Sequence, residues 1–386
     1  TCARTLQHTH AQMPYMEALG RSAEPVAFLS GLASSLVDPT ILMLVYERSG
    51  ATPGSRHDGT THAACGGNAT TQAAGSEDDA QKRASQFFMF YNIASSVSSM
   101  VPSLVMGQLG DLLSRRLLLV VPLLGTLLSQ LLLLFVVGVS MPLQWLYGYV
   151  LVSGLAGGSS TLWAGANAYA AQAVRHGRSS RRLMLLELSF GLAATLGSVI
   201  SGHIFVNFRL PLSFKHGSFS VLAAMFMYTL AIFYSLFVLK DFRPQTKASR
   251  VTLKGVLHVY RFGMFKEDGL GQGSSVTLPI PPPGGPSDQR AVFALLFTSA
   301  MLYQLVVRAF IDFLGLFMLR SPLCFGPDLV GYATAIGCCI YISSFLANLM
   351  LSRCWTDQAL AMMGIASFCA GTLVMTFVKT MPMFFL

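Results

Sequence analysis

Charge is what this chain lacks. Lysine, arginine, aspartate and glutamate make up 11% of its 386 residues, where water-soluble domains carry roughly 25%. With 53% hydrophobic residues and a mean hydropathy of +0.56, it has too little polar surface to cover itself in water. It reads as an all-α polytopic membrane protein. Metal-ligand spacing is lacking too. The seven cysteines (2, 65, 324, 338, 339, 354 and 369) follow no such pattern, and Cys338 and Cys339, adjacent in an apolar run, read as small packing residues. No set of nucleophile, base and oxyanion donors stands out, which argues against an enzyme and against a resident cofactor or metal. No cleavable signal peptide is read before the first apolar run, since residues 1–24 are mixed and polar. The net charge of +9 would suggest nucleic acid in a soluble protein. In a membrane protein its placement along the loops matters more, and no nucleic-acid partner is expected.

What is present is a series of apolar runs. Nine are long enough to cross a bilayer: about 25–46, 86–107, 117–139, 145–169, 183–206, 218–239, 291–319, 329–351 and 359–378. A tenth begins at Met381. With the N-terminus in the cytoplasm, seventeen lysines and arginines fall on inner segments, eight on outer ones, and Arg308 within a run. That bias favours the orientation with a cytoplasmic N-terminus, residues 1–24. Two intervening stretches are long. Residues 47–85 are polar, fall outside, and carry the glycosylation triplet Asn68-Ala69-Thr70. Residues 240–290 are basic, include Pro279–Pro286, and read as a cytoplasmic linker. Six runs (25–239), an inner linker and further runs (291–386) form the plan of two six-helix bundles. That plan needs twelve spans, so the chain is expected to be C-terminally truncated.

The stretch Gly107-Gln-Leu-Gly-Asp111-Leu-Leu-Ser114-Arg115-Arg116 lies between the second and third runs. It places a glycine, an acid and two arginines in what reads as a very short turn. The carboxylate of Asp111 is expected to meet the next helix N-terminus or a neighbouring cation, while the arginines hold the turn at the membrane surface. An ordinary basic turn with a stray acid reads the same way.

Ionisable groups at membrane depth are costly and are functional candidates by default. Asp38 precedes Pro39 in the first run, where the helix loosens. Glu187 follows Arg181 and Arg182 in the fifth; it either pairs with them or, withheld from water, takes up and releases a proton. Arg308 and Asp312 are four apart in the seventh, so they share a face. They form a neutralised structural pair, or Arg308 faces an anion while Asp312 orients it. His203 reads as a packed or interfacial histidine. Asn92 and Trp163 are weaker candidates for lining a cavity.

The stretch Gly107–Arg116 resembles the gating loop of the major facilitator superfamily, with Leu112 and Ser114 where a basic residue and glycine are usual. Further segments resemble the proton-coupled folate transporter family, and within it the thymic stromal cotransporter branch. They are Glu24-Pro-Val, Ser35-Leu-Val-Asp38, Tyr91-Asn92, Leu146-Tyr-Gly148, Leu183–Glu187, Ser201-Gly-His203, Leu319–Cys324, Val330-Gly-Tyr332, Ser343-Ser-Phe and Ser352-Arg-Cys354. The resemblance implies the facilitator fold, a proton-coupling role for Glu187, and a gating loop of Gly107, Asp111, Arg115 and Arg116. It implies that Asp312 matches an acid of the seventh span and that Cys65 and Cys324 form a disulfide, while Asp38, Asn92 and Arg308 are candidates for the substrate path by their own chemistry. The fourth run has no charged residue, and no histidine stands near Asp312, unlike the folate-carrying member.

The function expected is proton-coupled import of small organic anions: sulfated steroids, muropeptides or antifolate-like solutes. The proton is the coupling ion, and the lipid bilayer of the plasma or endosomal and lysosomal membrane is the setting. A receptor or adaptor on the same scaffold, or an uncoupled facilitator, are the alternatives.

Overall fold

The computed structural model describes residues 22–49, 71–112, 114–139, 141–172, 179–207, 217–240, 286–319, 323, 325–351, 355–378 and 380–384, some helix ends by backbone alone. Their regular structure is helical. The order is α1 (Glu24–Arg48), α2 (Thr71–Leu112), α3 (Leu117–Gly138), α4 (Trp145–Leu155), α5 (Gly158–Gln172) and α6 (Ser179–Asn207). Then follow α7 (Ser218–Phe237), α8 (Pro286–Leu319), α9 (Pro327–Leu351), α10 (Asp357–Met375) and the short α11 (Met381–Phe384). Eight stretches among the described residues are long and apolar enough to span a membrane.

The chain divides into two compact units, one of residues 1–249 with 318–386, the other of residues 250–317. In the first, α1 is the enclosed element. Of its apolar window 67% is buried, against none in the windows of α2 and α10. It packs along α6 and α7, and α6 in turn packs along α9. The helices α2 to α5 pack on one another, α3 against α7 and α5 against α6. Outward positions such as Phe135, Phe226, Phe233 and Phe237 are exposed apolar side chains, as lipid-facing ones must be. In the second unit α8 runs as one helix to Phe317, with Phe313 and Phe317 stacked at 6.1 Å.

Three sequence expectations change. The fourth apolar run is two helices, α4 and α5, because Gly157 and Gly158 take φ of 98° and 62°, a left-handed region closed to a helix of L-residues. Residues 71–85, read from their polarity as part of a loop over 47–85, are helical and begin α2. At 42 residues α2 is ~63 Å long, about twice the thickness of a bilayer core. Finally, Gly107 to Leu112 are not a turn. They are the last residues of α2, and the turn is confined to the residues that follow.

Candidate functional site

Pro39 stands inside α1 and supplies no N–H to the carbonyl four residues back. The neighbouring Leu36 carbonyl accepts the hydroxyls of Thr40 at 3.2 Å and of Ser201 on α6 at 2.8 Å. This fixes the loosened turn that carries Asp38. Val37 and Pro39 are buried, yet Asp38 between them is exposed. Its carboxylate acts electrostatically on Tyr91 of α2, Tyr149 of α4, Tyr228 of α7 and Cys338 of α9. Gln130 of α3, 1% exposed, donates its amide N–H to the Tyr149 hydroxyl at 3.2 Å. Three phenols and a thiol from four helices thus feel this one acid, and a buried amide from a fifth bonds one of the phenols. Asn92, one residue beyond Tyr91, is half-buried on α2.

At the junction of α2 and α3, Arg115 donates to the Ala168 carbonyl near the end of α5 at 2.9 Å. Ser114, standing where the facilitator pattern has glycine, accepts the backbone N–H of Arg116 at 3.2 Å and holds the turn. A Cβ on Gly107 would meet nothing within 4 Å. A Cβ on Gly110 would lie 1.5 Å from Leu118 Cδ1, so Gly110 is the residue that lets α3 approach. The Asp111 backbone ends α2, and its side chain lies outside what is described.

Glu187 is exposed on α6, the helix that packs on both α1 and α9. Arg182 forms its ion pair with Glu24 of α1 at 3.9 Å. Among the described residues Glu187 has no ion-pair partner. Further along α6, His203 Nε2 lies 2.7 Å from the Tyr332 hydroxyl of α9, the rings edge to face. His203 is therefore paired with a specific phenol. Trp163 packs edge to face on Phe190 at 4.7 Å, a packing role. In the other unit, Arg308 and Asp312 lie one turn apart on α8, and the Arg308 charge acts on the Asp312 carboxyl. Cys65, Asn68 and Cys324 lie outside the described residues.

The sequence reading passed over Tyr149, Gln130 and Tyr228, and gave Tyr332 and Gly110 no role beyond membership of a quoted segment. Gln130 carries a signal that could have been found: it is the one side-chain amide within Leu117–Gly138, and a buried amide demands partners.

Packed helices of membrane length with apolar side chains facing outward describe a polytopic membrane protein. No family model matches the chain. It is 35% identical over 371 residues to solute carrier family 46 member 2 of Canis lupus familiaris, covering 94% of this chain and 75% of that protein. Against the Mus musculus protein of the same name it is 33% identical over 373 residues, covering 94% and 74%. Against the lysosomal proton-coupled steroid conjugate and bile acid symporter of Homo sapiens it is 25% identical over 370 residues, covering 94% and 75%. The chain belongs to solute carrier family 46, on the thymic stromal cotransporter branch of the proton-coupled folate transporter family.

Proposed function

We propose that this chain is a proton-coupled symporter that imports organic anions (sulfated steroids, muropeptides and antifolate-like solutes) by alternating access. The observation that carries the reading is its kinship, at 25% identity over 94% of its length, to a protein named as a proton-coupled symporter of steroid conjugates and bile acids. Carboxylates on membrane-length helices add support, since such groups are rare unless they move protons or ions.

In this reading Glu187 takes a proton when the transporter faces outward. Arg308 offers positive charge to the anion and Asp312 keeps that guanidinium oriented. Asp38 and Asn92 line the substrate path. Neutralising Glu187 lowers the cost of removing it from water as the transporter closes. The junction at Asp111, Arg115 and Arg116 releases and re-latches as the halves rock. The N-terminus is cytoplasmic, a Cys65–Cys324 disulfide and a glycan at Asn68 face outward, and the protein resides in plasma or endosomal and lysosomal membrane.

The test is uptake of a radiolabelled sulfated steroid or muropeptide into transfected cells at mildly acidic and neutral pH. Acid-stimulated uptake is expected in the wild type, with the stimulation lost in Glu187→Gln at equal surface expression. A Glu187→Gln protein that keeps its acid stimulation would remove Glu187 from the scheme.

A further inference from the structure

Glycine contacts fix the directions in which three helices run. Gly31 of α1 lies against Phe190 of α6, and Gly197 of α6 against Ser35, so α1 and α6 run the same way. Gly191 lies against Tyr341 of α9, and Gly331 against Ser198 and Gly202, so α9 runs against them. The ends of α1 and α6 and the start of α9 therefore share one end of this unit. With the N-terminus in the cytoplasm, that end is the outer one.

Hydrogen bonds cross there from helices that precede residues 240–290 to elements that follow them. Tyr46, buried near the end of α1, donates its hydroxyl to the Leu319 carbonyl at 3.3 Å. Leu319 ends α8, belongs to the same unit and is buried. Its carbonyl has no following helical turn to supply an N–H, so it needs a donor from elsewhere. The neighbouring Met318 carbonyl accepts the Phe325 N–H at 2.9 Å, and Tyr46 serves Leu319. The second bond joins His203 of α6 to Tyr332 of α9 at 2.7 Å. Imidazole Nε2 accepts the phenol proton or donates to the phenol oxygen, so this bond forms in either tautomer. Burial marks the same end. On α9 the buried residues are Val330, Gly331, Ala333 and Ala335, and none from Ile336 to Leu351 is buried.

We propose that Tyr46 and the His203–Tyr332 pair are the outer clasp of the transport cycle. They hold α1 and α6 to the end of α8 and the start of α9 while the protein is closed to the outside. Both bonds part when it opens there. None of the three residues touches the solute; each is a positioning residue that sets how often the outer path opens. The inference rests on the symport reading and on a cytoplasmic N-terminus.

The experiment uses Ser198→Cys in the full chain. Ser198 is buried against Gly331, more than one turn further in than His203, so a cysteine there reports opening of the clasp. In intact transfected cells a membrane-impermeant maleimide should label it slowly, scored against the same protein without Ser198→Cys. Tyr46→Phe and Tyr332→Phe each remove one hydroxyl and keep the ring, and each should speed labelling about two- to fivefold. The two bonds share no residue, so the double variant should approach the product of the two effects. His203→Gln keeps a polar partner for Tyr332 and should label more slowly than His203→Ala, a second route to the same bond should Tyr332→Phe fold poorly. The half-saturating solute concentration for uptake should fall as the outward-open fraction rises, which a packing defect would not produce. Labelling rates equal to that of Ser198→Cys alone overturn the clasp, and so does faster labelling confined to inverted vesicles. Faster labelling from outside, in a protein whose wild type shows no acid-stimulated uptake, would instead remove the symport reading and leave the clasp standing.

Discussion

His203 and Tyr332 share a 2.7 Å hydrogen bond between α6 and α9, one residue beyond the place where the two helices touch backbone to backbone. A Cβ on Gly331 would meet the Ser198 carbonyl oxygen at 2.7 Å and the Gly202 Cα at 3.0 Å. The helices are therefore joined by an exposed polar bond beside a rigid steric contact. The two should respond very differently to substitution.

Gly331→Ala should separate α6 from α9, because neither obstructing atom belongs to a side chain that can swing aside. Overpacking of this kind costs roughly 1–3 kcal/mol. Tyr332→Phe removes one exposed hydrogen bond and should cost about 1 kcal/mol or less. Thermal unfolding of the purified variants in detergent orders the two, and a Tyr332→Phe protein less stable than Gly331→Ala would contradict the contact.

The break between α4 and α5 predicts a contrast among glycines. Gly157→Ala should cost roughly 1–2 kcal/mol, because its φ of 98° is strained for any residue with a Cβ. Gly107→Ala, inside α2 with open space around it, should be neutral or gain about 0.5–1 kcal/mol from helix propensity. If Gly107→Ala keeps its melting temperature while uptake falls, the glycine serves motion rather than packing.

Arg115→Gln should loosen the start of α3 from the end of α5. A half-buried charge-assisted bond to the Ala168 carbonyl is lost, about 1.5–3 kcal/mol by the usual scale for hydrogen bonds to charged groups. A cysteine placed at Ala168 should then label faster with a membrane-impermeant maleimide in inverted vesicles. Unchanged labelling would mean that the bond does not hold the junction shut.

At the opposite end of α1, Arg48 donates to the Val136 carbonyl at 2.9 Å and to that of Met141, closing the end of α3. Arg48→Lys keeps the charge but presents one point donor where the guanidinium fork reaches two carbonyls. It should recover only part of the melting temperature lost in Arg48→Ala. Full recovery would show that charge alone suffices there.

Much of this architecture was legible because bilayer thickness dictates the length of an apolar run. The runs read at 117–139 and 218–239 became Leu117–Gly138 and Ser218–Phe237. Their packing was not legible, since a span that faces both lipid and neighbours is apolar all round and carries little periodicity. Gly157 looked like any packing glycine until its φ showed a break. Polar composition hid the start of α2, because helix formation away from the bilayer does not require apolar residues. Asp38 stood out by its charge, but the phenols around it come from helices scattered through the sequence. Tyr332 lies 129 residues from the histidine it meets.

The length of α2 has a mechanical consequence. Arg83 grips the Ser49 carbonyl with two bonds of 3.2 and 2.9 Å, tying α2 to the end of α1 partway along its course. A continuous rod pinned at such a fulcrum turns as one body, so a tilt of its membrane portion moves the Thr71 end the opposite way, through a smaller distance because that arm is the shorter. Rearrangement among the first two spans would therefore be visible from water, as displacement of a probe attached near Thr71.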